Sequence, residues 1–238
     1  MRVDEVRGEA GAAVRRARTA EPRAPRAPRA PAPEVADELT RAAGAGQAPK
    51  LGQRLADATR AFERERFTEA RSMLRPLAEK APSSAAVREL YGLTLYRLGQ
   101  WKAATKELEA FAAITGSTEQ HPVLADCARA LKRWARVEEL WVELKTASPG
   151  PELVAEGRIV VAGALADQGR LDEAIAMLEP VVARTPKQTR DHHLRLLYAL
   201  ADLRERAGEV PAARRLFRRI QMVAPDFADV TERLRSLR

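Results

Sequence analysis

Asparagine is missing from the sequence, and cysteine occurs only once, at Cys127. A single cysteine excludes an internal disulfide and a thiolate metal site, and it is typical of proteins in a reducing compartment. No apolar run approaches the roughly 20 residues that span a bilayer. Asp4, Glu5 and Glu9 lie where a secretory signal would need an apolar stretch. We therefore expect a cytoplasmic protein without a membrane span.

The residues that are abundant, mainly alanine, leucine, valine, arginine and glutamate, favour helices. Lysine and arginine number 41 against 33 acidic residues, which gives a net charge of +8. The positive residues are spread along the chain, and most have an acidic neighbour. A solvated surface of mixed charge is the simplest interpretation, and contact with nucleic acid or anionic lipid is the alternative.

The first 49 residues differ in composition from the rest of the chain. They are built mainly from Arg, Ala, Pro and Glu and contain the run RAPRAPRAP at residues 23–31. A proline at every third residue prevents helical hydrogen bonding, so we predict a disordered tail over residues 1–49. Within it, Val35 and Leu39 could share a face of a short docking helix at residues 34–43, although a transient helical turn is the simpler expectation.

From about Leu51 onward the sequence is periodic. The residues that follow successive inter-helix turns are 34, 36, 34 and 39 residues apart: Ala70, Ala104, Leu140, Ala174 and Ala213. This period fits a unit of two helices of about a dozen residues each, stacked side by side in an array.

Three other sets of residues keep the same spacing. The first helix of each unit has a small residue, where helices must approach closely: Ala58, Gly92, Ala128, Ala162 and Ala201. The second helix has a large apolar residue: Leu74, Leu108, Leu144, Leu178 and Phe217. Another apolar residue comes just before the second helix: Phe67, Trp101, Val137, Leu171 and Val210. We predict that these sets form the core.

The turns follow the same order. Glycines lie between the paired helices of three units, where a left-handed residue ends the first helix: Gly99, Gly169 and Gly208. The first unit has Glu65 at this place, and the third is predicted to have Ala135. Prolines end three units: Pro82, Pro186 and Pro225.

The segments GLTLYRLGQWKAATKEL, from Gly92 to Leu108, and GALADQGRLDEAIAMLEPVVARTP, from Gly163 to Pro186, resemble tetratricopeptide repeats. The resemblance extends from about Leu51 to Pro225. It implies an all-α, right-handed superhelix of about five helix hairpins, with a concave groove that takes a peptide or a partner helix. With its Arg/Pro-rich tail, the chain also resembles small bacterial proteins of this repeat class.

We accordingly predict a repeat domain over residues 50–238 that ends in a capping helix at about residues 226–238. Asp226 is the expected N-cap of this helix. Its apolar side would consist of Phe227, Val230, Leu234 and Leu237. Its arginines are predicted to face water: Arg233, Arg235 and Arg238.

Residues suited to catalysis are few. Cys127 is predicted to be a buried thiol, and His121, six residues before it, is placed in a loop where nothing orients it as a base. His192 and His193 are adjacent, so on a helix they point about 100° apart and do not chelate one ion. The sequence has no phosphate-binding glycine loop and no paired-cysteine motif. We predict a protein that is not an enzyme and uses no cofactor or metal.

The predicted groove carries apolar, aromatic and basic residues. Its proposed partner contacts are Leu93, Tyr96, Arg97, Arg129, Lys132, Arg133 and Tyr198. The hypothesis is that the four basic residues clamp an acidic peptide or a C-terminal carboxylate. Ordinary solvated helix residues are the competing interpretation. The family's carboxylate clamp includes asparagines, which this sequence lacks.

A second basic cluster lies on the second helix of the fifth unit: Arg214, Arg215, Arg218 and Arg219. On a helix these residues form one stripe, which with the Arg-rich tail could contact nucleic acid phosphates or anionic lipid. The preferred function is an adaptor or scaffold that binds a protein or peptide in the groove. The alternative is an accessory protein that contacts nucleic acid or a nucleoprotein complex. The sequence leaves the oligomeric state open.

Overall fold

The structure, a computed structural model, describes residues 33–186 and 189–237, and these residues form twelve α-helices and no β-strand. In chain order the helices are α1 (Pro33–Ala43), α2 (Ala48–Glu63), α3 (Phe67–Lys80), α4 (Ala85–Arg97), α5 (Trp101–Thr115), α6 (His121–Ala130), α7 (Trp134–Ala147), α8 (Pro151–Asp167), α9 (Leu171–Ala183), α10 (Asp191–Arg206), α11 (Val210–Val223) and α12 (Val230–Ser236). The described residues form two compact units, residues 33–136 and residues 137–237. The predicted all-α repeat fold is confirmed. Residues 1–32 of the predicted tail lie outside the described residues.

The described helices α2 to α11 follow one another in five helix–turn–helix pairs, called hairpins here because they share one turn geometry, and the turn residue of each pair has positive φ. These turn residues are Glu65 (φ 58°), Gly99 (φ 72°), Lys132 (φ 57°), Gly169 (φ 80°) and Gly208 (φ 78°). At each turn the same pair of backbone bonds closes the helix. In the second hairpin, the Gly99 N–H donates to Tyr96 O at 3.0 Å and the Gln100 N–H donates to Leu95 O at 2.9 Å. This is the Schellman arrangement, and it fixes one common register for all five hairpins.

The third hairpin departs from the predicted register by three residues. The turn residue is Lys132, and Ala135 lies inside α7, which begins at Trp134. Trp134 therefore occupies the place that Phe67 and Trp101 occupy at the start of α3 and α5. The predicted alignment was wrong here because neither candidate turn residue is a glycine and both registers place apolar residues in the core.

The corrected register changes which residues of this hairpin are equivalent to those of the others. Ala125 takes the place predicted for Ala128, Val137 that of Leu140 and Trp141 that of Leu144; all six are buried. Because the turn of the third hairpin lies three residues earlier than predicted, Arg129, Lys132 and Arg133 also occupy other places in the hairpin than the sequence predicted.

Close helix packing within the hairpins is clearest at Gly92. A Cβ at this position would lie 2.6 Å from the side chain of Leu108 on the paired helix, so only glycine fits. The other predicted small residues of the first helices are buried, as are the predicted apolar residues of the second helices. The residue at the start of each second helix lies at the edge of the hairpin, and Val210 is 37% exposed there.

The C-terminal helix is shorter than predicted. It begins at Val230, because Asp226 lies in a turn and does not cap it. Phe227, Val230 and Leu237 are buried against the core of the second unit, as the predicted apolar side requires. Arg233, predicted to face water, is instead surrounded by carboxylates.

Helix α1 lies within the segment predicted to be disordered. Its Leu39 is fully buried in the apolar core of the first unit, and Val35 is half-buried against the same core. These are the two residues that the sequence placed on one helix face. The helical part of the first unit therefore begins at Pro33 and not at residue 50, because α1 is stabilised by packing that its local sequence does not reveal.

Candidate partner-binding surface

In the first unit, the second helices of the hairpins cover one side of the first helices. Helix α3 packs against α2 and α4, and α5 packs against α4 and α6. We call the opposite side of α2, α4 and α6 the first-helix face; it corresponds to the predicted groove. Since Gly92 points toward α5, Leu93 and Arg97 point about 100° and 140° away from it and lie on this face.

Tyr96 lies at the margin of the first-helix face and is 6% exposed. Its hydroxyl donates a hydrogen bond to the Oδ2 atom of Asp126 on α6. Arg129, one turn further along α6, donates to the other carboxylate oxygen of Asp126, with Nε at 2.9 Å and Nη2 at 2.8 Å. Tyr96 and Arg129 were predicted to contact a ligand, but here they connect α4 to α6 through a buried carboxylate.

Arg97 is held at the end of α4 by two contacts. Its Nη2 atom lies 3.3 Å from the Glu65 carboxylate, and its guanidinium lies 4.4 Å from the centroid of the Phe67 ring. Both contacts come from the neighbouring hairpin. The side chain keeps 32% of its surface exposed, so one edge of the guanidinium is accessible beside the partly exposed Leu93.

Lys132 and Arg133 are exposed in the turn of the third hairpin. Among residues 33–186 and 189–237, neither side chain takes part in an ion pair. Lys132 is the turn residue and Arg133 follows it, so they lie at the edge of the first-helix face and not in its middle, where the sequence placed them.

Tyr198 belongs to the second unit and is 1% exposed. Its ring packs against Phe217 and Phe227, with centroids 5.6 Å and 6.1 Å away, and its hydroxyl donates to Asp229. Burial, followed by this hydrogen bond, raises the pKa of the phenol far above its ordinary value. Tyr198 therefore packs in the core and does not form a contact surface.

Asp229 also belongs to a charged cluster around Arg233. The guanidinium of Arg233 bonds to Asp202, lies 3.1 Å from Glu205 and 3.9 Å from Asp229. The carboxylates raise the pKa of Arg233 despite its burial. These contacts join α12 to α10 and close the end of the second unit.

The basic cluster on α11 is only partly available to a partner. Arg215 and Arg218 are exposed, whereas the Nη2 atom of Arg219 donates to Thr185 O at 3.2 Å and Arg214 is half-buried. No ion pair within the described ranges involves any of these four arginines, and α11 contains no acidic residue.

Cys127 and His121, the two residues considered for catalysis, do not have the arrangement of a catalytic pair. Cys127 is completely buried, and His121 is the buried first residue of α6, not a loop residue. The two are six residues apart, so their side chains leave the helix from different sides.

The rings of His192 and His193 lie against each other at the start of α10, with centroids 4.0 Å apart and planes tilted by 49°. His193 Nδ1 accepts the backbone N–H of Arg190 at 3.0 Å, and burial lowers the pKa of this imidazole. Both residues thus shape the start of the helix. Over residues 33–186 and 189–237, no three His, Cys, Asp or Glu side chains form a possible metal site.

A cleft of about 540 Å³ lies beside these histidines. Arg195 bonds there to Glu156 at 2.8 Å and to Asp191 at 2.6 Å, and Arg190 lies 3.6 Å from Glu152. Because its cations face carboxylates of the same unit, the cleft has little charge left to attract an ionic ligand.

Two contributors to the first-helix face were missed from the sequence. Asp126 was not singled out in the sequence, and it accepts hydrogen bonds from Tyr96 and Arg129. Glu38 was placed in the tail, yet its carboxylate contacts the first turn of α4. The spacing of Val35, Glu38 and Leu39 was the available signal for an ordered helix.

Comparison with known proteins agrees with this architecture. Models described as tetratricopeptide repeat match residues 55–118 and residues 165–236. A thermophilic TPR protein from Thermus thermophilus superposes with a TM-score of 0.60 at 20% identity, over 79% of this chain and 98% of that one. A Podosopora anserina protein with nearly identical TPR-like repeats gives a TM-score of 0.56 at 20% identity, over 73% and 94%. A single-substitution form of that protein gives 0.57 at 21%, over 77% and 97%.

These similarities, together with the five uniform hairpins, define an α-helical repeat protein with the fold of a general protein-interaction scaffold. The chain belongs to the tetratricopeptide repeat family. No curated protein matches it. Within the described residues, no helix combines the length and apolar character needed to cross a membrane.

Proposed function

We propose that this protein is an adaptor that binds an acidic segment or helix of another protein on the first-helix face of its first unit. The observation that supports this most directly is the chemistry of the exposed groups. Leu93 offers partly exposed apolar surface, Arg97 offers one edge of a guanidinium, and Lys132 and Arg133 are exposed cations without ion pairs among the described residues.

This arrangement favours a partner with carboxylates next to apolar side chains. The apolar residues would supply most of the binding free energy, and the cations would set the association rate and the preference for acidic sequences. Arg129 is not among the binding groups, because its charge is neutralised by Asp126 in a buried site. The cationic part of the site thus consists of Arg97, Lys132 and Arg133.

The test is a charge reversal at the exposed cations. A partner is first isolated by affinity capture with the full chain and identified by mass spectrometry, and its binding is then measured by calorimetry. We expect Lys132→Glu combined with Arg133→Glu to weaken binding about tenfold or more, which corresponds to about 1.4 kcal/mol. The loss should shrink as ionic strength rises.

The matched control is Lys102→Glu combined with Lys106→Glu. These lysines are exposed on α5, a second helix of the same unit, and the change in net charge is identical. Equal losses with both double variants would show that net charge and not the first-helix face governs binding, and would contradict the proposal.

A second candidate function rests on Arg215 and Arg218, which are exposed on one side of a helix without acidic residues. We infer from this stripe a contact with nucleic acid phosphates. Such binding would fall steeply with salt and would drop when both arginines are replaced by glutamine. A mobility-shift titration at two salt concentrations decides the point, and retention of affinity in the glutamine variant would eliminate this candidate.

A further inference from the structure

Helix α1 makes polar contact with the start of α4. The Glu38 carboxylate accepts a hydrogen bond from Ser84 Oγ at 3.0 Å and another from the Ala86 backbone N–H at 3.2 Å. Ser84 is the N-cap residue of α4, so Glu38 supplies an acceptor and a negative charge where the helix has free N–H groups.

These contacts show on which side of the first unit α1 lies. Helix α1 packs against α2 and also reaches α4, while α3 packs against the same two helices. The seam between α2 and α4 has two sides, and α3 fills one of them. Ala86 points about 120° away from Gly92, on the same side of α4 as Leu93, which places α1 on the first-helix face.

Apolar contacts also hold α1 on the first unit. Leu39 is completely buried in a cluster that includes Leu51 and Leu55 of α2, and Ala86 and Leu90 of α4 pack against the same cluster. A fully buried leucine contributes more to docking than a half-buried valine, because it removes more apolar surface from water. Leu39 is thus the apolar anchor of α1, and Val35, one turn earlier, is a second and weaker contact.

The sequence of α1 gives this helix little stability of its own. It has 11 residues, and isolated helices shorter than about 12–15 residues are marginal in water. Gly44, with φ of 83°, and Gly46 join it to α2, and apart from the adjacent residues no atom lies within 4 Å of the place where a Cβ would stand at either glycine. Burial is the main reason that the pKa of the Glu89 carboxyl group on α4 is raised, and the charges of Glu119 and of Glu38 on α1 raise this pKa further. Docking α1 therefore brings like charges together.

We infer that the surface under α1 is a binding site for an amphipathic helix of another protein, and that α1 is its intramolecular competitor. The partner helix would carry an apolar residue at the place of Val35, a carboxylate at the place of Glu38 and a leucine-sized residue at the place of Leu39. This inference rests on the proposed adaptor function and adds to it the class of partner and its regulation. Because α1 is tethered, it competes at a high effective concentration, and an external helix binds only to the fraction of molecules in which α1 is released.

The test uses a fluorescent peptide of residues 33–43 with blocked ends and three forms of the full chain. Leu39→Asp should release α1, because a charge cannot remain in the apolar cluster. Thr40→Asp is the matched control, since Thr40 is the exposed neighbour and receives the same charge. Anisotropy titrations should show that the peptide binds the Leu39→Asp chain about tenfold or more tightly than the wild-type and Thr40→Asp chains.

The chemistry of the site is tested with a second peptide that carries Glu38→Gln. It should bind the Leu39→Asp chain several-fold more weakly, because the charge that meets the first turn of α4 is lost. Circular dichroism and hydrogen exchange confirm that α2 to α5 remain folded. If the Leu39→Asp chain does not fold, Glu38→Ala in the full chain is used with the wild-type peptide, and a several-fold gain over the wild-type chain is expected.

Equal affinity of the peptide for all chain variants would overturn the inference, because the peptide would then bind elsewhere. Absence of binding to a folded chain with α1 released would overturn it as well. Neither result affects the adaptor proposal if a protein partner still requires Lys132 and Arg133. Conversely, peptide binding under α1 with no effect of Lys132 and Arg133 on any partner would contradict only the proposed cationic site.

Discussion

The phenol of Tyr198 on α10 donates its hydrogen to the carboxylate of Asp229, the residue that precedes α12. The Asp229 side chain forms no cap bond to α12. The short C-terminal helix is therefore stabilised by contacts with α10 more than by its own end. Removing the Tyr198 hydroxyl should affect the whole second unit, since the phenol is buried in its core.

Replacing Tyr198 with phenylalanine should lower the free energy of unfolding by about 1–2 kcal/mol, because a buried hydrogen bond to a charged acceptor is lost while the ring packing is kept. Urea denaturation followed by circular dichroism measures the change. Tyr91→Phe is the control, since no hydrogen bond of the Tyr91 hydroxyl is found in the described part of the chain. A similar loss in both variants would argue against a special role for the bond between Tyr198 and Asp229.

The turn of the third hairpin gives a prediction of opposite sign. Lys132 has φ of 57°, a conformation that costs a non-glycine residue roughly 1–2 kcal/mol. Lys132→Gly should therefore raise the free energy of unfolding by about 1 kcal/mol, and Gly99→Ala, at the equivalent turn, should lower it by a similar amount. Thermal and urea denaturation of both variants test the common register. A destabilising effect of Lys132→Gly would contradict the assigned turn.

The register of the third hairpin could not be predicted from the sequence. The spacing of glycines and alanines was enough to predict the hairpins, because Gly99, Gly169 and Gly208 mark their turns directly. The third turn has a lysine in a glycine conformation, so its position depends on backbone hydrogen bonds that no residue type announces. The error of three residues moved Lys132 and Arg133 into the middle of the predicted groove and hid the contact between Asp126 and Arg129.

For a different physical reason, a short docking helix at residues 34–43 was only the alternative to a transient helical turn. Its 11 residues have little helix stability of their own, and the neighbouring proline-rich run predicts disorder. Its helix is stabilised by Leu39 in a core formed by α2 and α3 and by Glu38 at the start of α4. Such long-range packing cannot be inferred from local composition. The packing of α1 decides whether part of the predicted groove is open or covered.

Glu89 gives a pH-dependent prediction on the same face. Burial raises the pKa of its carboxyl group above 4.5 by more than the hydrogen bond from Gln120 lowers it, and Glu119 and Glu38 raise it further. Since the folded state disfavours the ionised form, Glu89 lowers stability as pH rises through the unfolded value of about 4.3 and then through the folded pKa. At neutral pH this cost is fully present.

Glu89→Gln should therefore increase the free energy of unfolding at pH 7, and the increase should vanish below about pH 4, where the carboxyl group is protonated in both states. Glutamine can still accept the bond from Gln120. Urea denaturation from about pH 3.5 to pH 7 measures the difference between variant and wild type across the titration of this group. A difference that is independent of pH would mean that packing, and not ionisation of Glu89, is responsible.

The buried contact between Asp126 and Arg129 predicts that these two residues matter for folding more than for binding. Arg129→Ala should lower the free energy of unfolding by about 3–5 kcal/mol, because Asp126 would keep a charge in a buried place with only the Tyr96 hydroxyl and its other short-range contacts to stabilise it. Arg133→Ala, at an exposed turn residue, should change stability by less than about 0.5 kcal/mol.

The two arginines are four residues apart and were predicted to act together in one clamp, so this comparison separates the two interpretations. Denaturation midpoints give the effect on folding, and partner binding is compared only for variants that remain folded. Replacing Asp126 and Arg129 together with asparagine and methionine should recover part of the stability lost in Arg129→Ala, since no unpaired charge is then buried. If Arg129→Ala were as stable as the wild type but lost its partner, Arg129 would be a binding residue after all.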